Sequence, residues 1–249
     1  RISQLVQETI RQQAEVKNAQ LQALQHQINP HFLYNTLEIF AGKMEKQGLY
    51  KESDALTSFA QMFRYNISTG PDALTTIQAE ILNVQRYLSI QKLSRPNIRL
   101  KTDISDVLMN TPMLRFMLQP LVENSVKHGI AHADDSLVIG ISIELNENHL
   151  HFTIFDNGIG MPEDKISRLN EMFDPNYKTG ITASPSDSIG LSNINTRLRL
   201  FYNSRLFIHT GDINGTVISF DIPLSEGNPK NLSAGNLPDK TITPRFTLM

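Results

Sequence analysis

Three clusters of polar residues and glycines could bind one charged ligand together. Asn124 can offer an amide oxygen to a metal ion without adding charge, and Lys127 can meet phosphate charge, with His128 as a neighbouring hydrogen-bond partner. Glycines in the other two clusters permit backbone conformations and close approaches that larger residues exclude. Each cluster is a weak signal alone, but their order around a long loop-forming stretch is specific. The clusters are PLVENSVKHG (120–129), DNGIGMP (156–162) and SIGLSNINTRL (188–198).

His31 is the candidate nucleophile of the chain. It follows Pro30 in the segment QINPHFLYNTL (27–37). Imidazole has a pKa of about 6.5, so it keeps a neutral, nucleophilic nitrogen near pH 7. A proline inside a helix removes one backbone hydrogen bond and clashes with the preceding turn, so we expect a kink that presents His31 to solvent. Asn35 lies one helical turn further on the same face.

The elements that must position His31 are helices. Gly48 is expected to end the first helical region, and apolar residues at positions 56, 59, 63 and 67 predict a second helix, so that two such hairpins would form a four-helix bundle. Upstream, residues 1–29 carry a heptad pattern that predicts a coiled coil and a parallel homodimer; the alternative is a single amphipathic helix packed on its own domain. The heptad positions are Ile10, Ala14, Lys17, Leu21, Leu24 and Ile28.

The elements around the glycine clusters are mixed. Alternating apolar residues and turn formers predict mostly antiparallel strands with helices on one face, which is an α+β fold. We therefore expect a helical domain at 1–72, an α/β sandwich at 73–224 and a disordered tail at 225–249. The predicted helices are 74–94, 111–129 (starting at Thr111-Pro112), 162–171 and 192–202, and the predicted strands are 98–105, 137–145, 150–155, 206–209 and 217–222.

Composition excludes several classes of protein. The chain has 249 residues, with 23 Lys+Arg, 25 Asp+Glu and a net charge of −2, which argues against a strongly basic nucleic-acid-binding protein. It has no cysteine, so disulfides, thiol catalysis and Cys-ligated zinc are excluded. The sequence contains no run of about 18 apolar residues, so it predicts no transmembrane helix. Because the sequence begins with Arg1 rather than Met, we expect a fragment of a longer protein.

The three clusters resemble the N, G1 and G2 boxes of the GHKL ATP-binding superfamily, and the resemblance covers about 110–223. It implies ATP and Mg²⁺ as ligands, with Asn124 holding the metal ion and Asp156 accepting a hydrogen bond from the adenine amino group. Ser188 departs from the glycine that is usual at the start of the third box, and residues 172–189 would form a lid over the nucleotide. The other nucleotide-binding residues that the resemblance implies are Lys127, His128, Gly158, Gly160, Gly190, Leu191 and Thr216.

Hydrolytic members of the superfamily carry a glutamate four residues before the metal-binding asparagine. Here that position is Pro120, which cannot act as a base. Glu123 is the nearest acid, but it lies about 100° away from Asn124 around the helix. An ATPase that clamps or dimerises is therefore disfavoured, and the γ-phosphate should pass to another acceptor.

The helical half resembles LytS/YesM-type sensor histidine kinases. The matching segments are QINPHFLYNTL, FAQMFRYNI (59–67) and ILNVQRYLSIQK (81–92), the last preceded by Glu80. The resemblance implies that His31 is phosphorylated from ATP and passes the group to an aspartate of a response regulator, with Lys127 neutralising phosphate charge. It also implies a homodimer and the cytoplasmic portion of an integral plasma-membrane protein, with the sensor and transmembrane segments upstream.

Two roles near His31 are less defined. Related kinases carry an acid directly after the histidine, but Phe32 stands there, and Glu38 is only a possible base. Asn35 has the offset at which related kinases align water to dephosphorylate the regulator; the alternative is an ordinary helix-surface residue. A GHKL ATPase clamp and an ATP-binding module without kinase activity are the two alternative functions.

Overall fold

The computed structural model describes residues 30–67, 73–129, 136–174, 189–211 and 215–224. The chain divides into two compact units, Arg1–Gly70 and Pro71–Met249. This division lies two residues before the predicted domain boundary. The predicted coiled coil, the kink before His31, most of the lid and the tail at 225–249 lie outside the described residues and stay predictions.

The first unit contains a helical hairpin of α1 (Pro30–Lys46) and α2 (Tyr50–Ile67). Gly48 has a φ of 76°, a left-handed conformation that glycine adopts easily, and it ends α1 as predicted. Small side chains are buried between the two helices, and the Ser53 hydroxyl donates to the carbonyl of Ala41 at 2.9 Å. The buried alanines are Ala41, Ala55 and Ala60.

The second unit is built on a five-stranded sheet in the order β2-β4-β5-β7-β6. β2 pairs with β4 in parallel, and every other neighbouring pair is antiparallel. The predicted α+β fold with mostly antiparallel strands is confirmed. The strands are β2 (Ile98–Ile104), β4 (Leu137–Asn146), β5 (His149–Asp156), β6 (Phe207–Thr210) and β7 (Thr216–Pro223).

Within the described residues, this unit also has four α-helices, a short 3₁₀ helix (Asp106–Leu108) and a small two-stranded sheet. The antiparallel pair joins β1 (Leu74–Thr76) to β3 (Pro112–Leu114). Alternate residues of the central strands share one apolar core with the helices, and within it Phe152 and Phe220 stack with ring centroids 4.8 Å apart. The helices are α3 (Ile77–Gln91), α4 (Gln119–His128), α5 (Glu163–Phe173) and α6 (Ile189–Tyr202).

The predicted helix over 111–129 is wrong in its first half. Pro112 begins strand β3, a turn follows, and α4 starts only at Gln119, with Pro120 in its first turn. The turn includes Phe116 at a φ of 57°, which no α-helix accommodates. A buried glutamate, Glu80, binds the backbone N–H groups of this turn and so competes with helix formation.

The remaining boundaries shift by a few residues. The helix predicted at 74–94 begins at Ile77, because residues 74–76 form β1 and the Thr76 hydroxyl caps the helix by accepting from the N–H of Ala79 at 3.2 Å. α6 begins at Ile189, three residues before the predicted start. Among the helices of the described ranges, none is both long enough and apolar enough to cross a bilayer.

Candidate functional site

Asp156 is the centre of the candidate nucleotide site, at the end of β5. It is only 6% exposed, and its carboxylate accepts three hydrogen bonds. The Ser125 hydroxyl donates to Oδ2 at 2.8 Å, and the backbone N–H groups of Gly158 and Thr216 donate to Oδ1 at 3.0 and 3.3 Å. Burial raises the pKa of Asp156, whereas these three bonds lower it.

The hydrogen-bonding capacity of Asp156 fits an adenine amino group. An ionised carboxylate offers about four acceptor positions, and the three donors from the described residues leave one of them for a ligand N–H. The residue also ends a strand, next to the glycine-rich segment 157–160, where the backbone turns away from the sheet. The site can therefore accept a hydrogen bond from a buried purine.

Glycines hold three backbone segments together around Asp156. A Cβ at Gly158 would lie 2.3 Å from the Cα of Gly129, so a side chain there would force these segments apart. Gly215 has a φ of 94°, and its Cβ would lie 2.0 Å from the carbonyl oxygen of Asp156. Gly160, at a φ of 75°, also requires the left-handed conformation. Of the two predicted glycines, Gly160 has a positive φ, and the predicted close approach of Gly158 and Gly160 to a ligand stays a prediction.

Helix α4 presents the predicted metal and phosphate residues. Asn124 is half-buried, while Lys127 and His128 are exposed in the last turn. Their spacing of three and four residues places all three on one face of α4. Because the adjacent Ser125 donates to Asp156, Asn124 lies on the turn of α4 that contacts this carboxylate. An amide oxygen and a nearby ammonium group suit Mg²⁺ and phosphate, so the residues fit the expected ligands.

The third cluster is predicted to contact phosphates through backbone N–H groups at the start of α6, and this stays a prediction. Leu191 has its side chain in the apolar core, so only its backbone can face a ligand. Gly190 is exposed in the first turn of α6, and a Cβ there would meet no atom of the described residues within 4 Å. Thr216 is buried and contributes its N–H to Asp156. Ser188 lies outside the described residues.

Glu123 is turned away from the candidate site. Its Oε1 accepts from the Gln119 side chain at 2.5 Å, and Gln119 in turn accepts from the Asn83 amide on α3. Burial and the charge of Glu123 raise the pKa of Tyr87, also on α3, to about 12. This acid therefore belongs to the packing of α3 against α4.

His31 is exposed in the first turn of α1. The Asn35 amide nitrogen lies 3.4 Å from both ring nitrogens, which is a long contact for a hydrogen bond. Glu38 interacts instead with Tyr34, and its hydrogen bond raises the pKa of that phenol. The guanidinium of Arg64 lies 5.1 Å from the centroid of the Tyr34 ring. Glu38, the possible base, is thus directed toward another side chain.

Two side-chain contacts of this unit could not be predicted from the sequence. Ser125 follows Asn124 directly and is buried, and its only signal is a hydroxyl between apolar positions of the helix. Glu80 was part of a motif, but its carboxylate acts on a turn 36–38 residues further along the chain. Contacts over such separations leave no periodic pattern in a sequence.

Comparison with protein families covers both halves of the chain. The family described as "Histidine kinase" matches residues 19–99, which include His31 and Asn35. The family described as "Histidine kinase-, DNA gyrase B-, and HSP90-like ATPase" matches residues 109–226, which include Asn124 and Asp156. The chain is thus similar to histidine kinases in both of its halves. The two matches follow each other along the chain, in the order expected for a histidine kinase with its ATP-binding domain.

Two similar sensor proteins are considerably longer than this chain. The sensor protein LytS of Bacillus anthracis is 29% identical over 220 residues, which cover 87% of this chain and 36% of LytS. The sensor protein kinase HptS of Staphylococcus aureus (strain USA300) is 28% identical over 233 residues, which cover 90% of this chain and 42% of HptS. The chain thus spans about two fifths of the length of these relatives.

Two solved histidine kinase structures are similar at low identity. The catalytic domain of histidine kinase ThkA gives a TM-score of 0.44 at 18% identity, covering 61% of this chain and 94% of that domain. The second is the histidine kinase domain of the Erythrobacter litoralis EL346 blue-light activated histidine kinase. It gives a TM-score of 0.42 at 18% identity, covering 86% of this chain and 95% of that domain.

Proposed function

We propose that this chain is the kinase portion of a sensor histidine kinase, which phosphorylates His31 from ATP and passes the phosphoryl group to an aspartate of a response regulator. The observation that carries the proposal is one chain with both an exposed imidazole on a helical hairpin and a buried carboxylate, Asp156, at the end of a sheet strand. Donors from the described residues leave one acceptor position of this carboxylate for a ligand. The two groups lie in different units of the chain.

The residues of the second unit bind and orient the nucleotide. Asp156 accepts the adenine amino group, and the close glycine contacts exclude side chains from the space beside it. Asn124 would hold Mg²⁺, and Lys127 meets the phosphate charge from the same face of α4. When bound, Mg²⁺ neutralises the charge of the phosphates.

The transfer itself is a substitution at phosphorus. A neutral nitrogen of His31 attacks the γ-phosphorus, the N–P bond forms as the bond to the leaving ADP oxygen breaks, and the imidazole proton passes to solvent. The exposure of the ring gives this proton a path to solvent. The phosphoramidate is energetic enough to phosphorylate a regulator aspartate. Asn35, within reach of the ring, is proposed to align water for dephosphorylation of that regulator.

A homodimer and a membrane-bound full-length protein belong to the same proposal. The hairpin leaves large apolar side chains exposed, for example Phe40 at 50% and Phe59 at 39%, and a second hairpin would cover them in a four-helix bundle. The names and lengths of the sensor-protein relatives support a cytoplasmic kinase portion that receives its signal from further segments of an integral plasma-membrane protein.

Incubation with γ-labelled ATP and Mg²⁺ tests the proposal. We expect acid-labile, base-stable label on the wild-type chain and no label on His31→Gln. The matched control is His149→Gln, because His149 is also exposed but lies on strand β5. Full labelling of His31→Gln would refute the acceptor assignment. Steady release of free phosphate would instead indicate an ATPase, and neither label nor phosphate would indicate a binding module.

A further inference from the structure

Glu80 is a buried acid to which the proposed function assigns no role. It lies in the first turn of α3 and is 0% exposed. Its Oε1 accepts the N–H of Phe116 at 2.9 Å, and its Oε2 accepts those of Met117 and Leu118 at 2.9 and 3.0 Å. A buried carboxylate is unfavourable unless it is well bonded, and hydrogen bonds to an ionised oxygen are stronger than neutral ones. Glu80 therefore holds three successive amides in place.

These amides lie where α4 begins. The first N–H groups of a helix have no partner within the helix, and Leu118, the residue before α4, provides no side-chain cap. Glu80, on a different helix, accepts the first of these N–H groups, that of Leu118, together with the two amides before it. Its negative charge suits the positive end of the α4 dipole. Glu80 on α3 thus fixes the position at which α4 begins.

The turn at 115–118 is also held from α6. Arg197 donates from Nη1 to the carbonyl of Phe116 at 3.3 Å, and the Tyr202 hydroxyl accepts the N–H of Leu114 at 2.8 Å. Phe116 has a φ of 57°, which is unfavourable for a side chain of this size. Such a conformation persists only where several contacts impose it. The turn therefore has one well-defined geometry.

Helix α4 connects this turn to the nucleotide site. Asn124 lies five residues after the start of α4, about 7.5 Å along a rigid helix, so a shift of the start moves the amide. We propose that Glu80 is a positioning residue for phosphoryl transfer, which fixes through the 116–118 turn the place at which Asn124 offers its oxygen to Mg²⁺. This inference rests on the proposed function.

The experiment measures how much Mg²⁺ strengthens ATP binding. Calorimetric titration of the 249-residue chain with ATP, in Mg²⁺ and in EDTA, gives the ratio of the two affinities. Glu80→Gln keeps the side-chain size but replaces one acceptor oxygen with an NH₂ group facing N–H donors. We expect this ratio to fall by about tenfold or more, as for other residues that orient a metal ligand, with little change of the affinity in EDTA.

A double variant separates positioning from general destabilisation. If Glu80 acts through Asn124, adding Glu80→Gln to Asn124→Ala should cause no further loss of affinity in Mg²⁺. The matched control is Asn170→Ala, which removes two hydrogen bonds to Ile208, at 2.9 and 2.7 Å, between α5 and β6. Asn170→Ala should lower the melting temperature but leave the ratio of the ATP affinities in Mg²⁺ and in EDTA at its wild-type value.

Several results would overturn the inference. One is a folded Glu80→Gln chain with the wild-type Mg²⁺ ratio, and another is a further loss in the Asn124→Ala background. If Glu80→Gln does not fold by circular dichroism, Glu80→Asp, which keeps the charge with a shorter reach, takes its place. Failure of both to fold would assign Glu80 to folding alone. A wild-type chain without Mg²⁺-dependent ATP binding would instead refute the proposed function.

Discussion

Replacing Ser125 with alanine tests how the Asp156 carboxylate is kept ready to accept a hydrogen bond. Ser125 is 3% exposed, so the change removes one hydroxyl from a closed environment. The bond that it removes, from Ser125 Oγ to Asp156 Oδ2, measures 2.8 Å, and a hydrogen bond to a charged group contributes about 1.5–3 kcal/mol. We expect the free energy of unfolding to fall by about this amount at alkaline pH, where Asp156 is ionised.

The direction in which the pKa of Asp156 is shifted determines how stability changes with pH. Burial raises the pKa of Asp156 in the folded chain, so the folded state holds the proton more tightly than the unfolded state. The contribution of Asp156 to stability therefore decreases as the pH rises from the ordinary carboxyl pKa to the folded pKa. Nucleotide affinity changes in the opposite direction, because an ionised carboxylate is the better acceptor for the adenine amino group.

Ser125→Ala removes a bond that lowers the pKa of Asp156, so this pKa should rise further. The acid limb of the affinity profile should then move to higher pH. Fluorescence anisotropy of a labelled adenine nucleotide, measured at several pH values, checks this shift, and chemical denaturation checks the stability. The control is Ser142→Ala, a serine 2% exposed on β4. If the affinity profiles of a folded Ser125→Ala chain and the wild type superimpose, the reasoning is refuted.

Two further predictions follow from the site. Gly158→Ala should abolish nucleotide binding, since its Cβ would lie 2.3 Å from the Cα of Gly129. Gly140→Ala, whose Cβ would lie nearest to atoms of the Phe155 ring, should cost stability of about 1–3 kcal/mol and leave the affinity unchanged. Denaturation and calorimetry distinguish the two, and equal affinity losses would contradict the prediction. Glu123→Gln should change neither phosphate release nor labelling, because this carboxylate binds Gln119; a loss of either in a phosphate-release or labelling assay would show that Glu123 acts on the nucleotide.

The part of the fold that could be predicted from the sequence is the part set by local patterns. The central strands β4 and β5 alternate apolar and polar residues, and their predicted ranges agree with the structure to within one residue. The segment 111–118 is strongly apolar and begins with Thr111-Pro112, an N-cap residue followed by a proline. Its pattern is typical of the start of a helix. Its actual turn depends on Glu80, more than 30 residues earlier, and a distant buried charge leaves no periodic trace.

Some residues of the candidate site could likewise be predicted from a local motif, and others could not. Asp156 could be predicted because a carboxylate at the end of a strand, followed by closely spaced glycines, is a local motif. The contributions of Ser125 and of the Thr216 N–H to that carboxylate arise only when α4 and β7 meet at the end of β5. Leu191 shows the reverse case, since its place in a motif did not reveal that its side chain packs in the core.

In the proposed homodimer, the alanines between α1 and α2 would make the folding of the hairpin depend on the concentration of the chain. Ala41, Ala55 and Ala60 let the helices approach closely, but each buries little apolar area. Ordering helices of 17 and 18 residues opposes folding by roughly 1–2 kcal/mol of backbone entropy per residue. Association of two hairpins would supply the missing burial, so mass action would make dilution loosen the segment that carries His31.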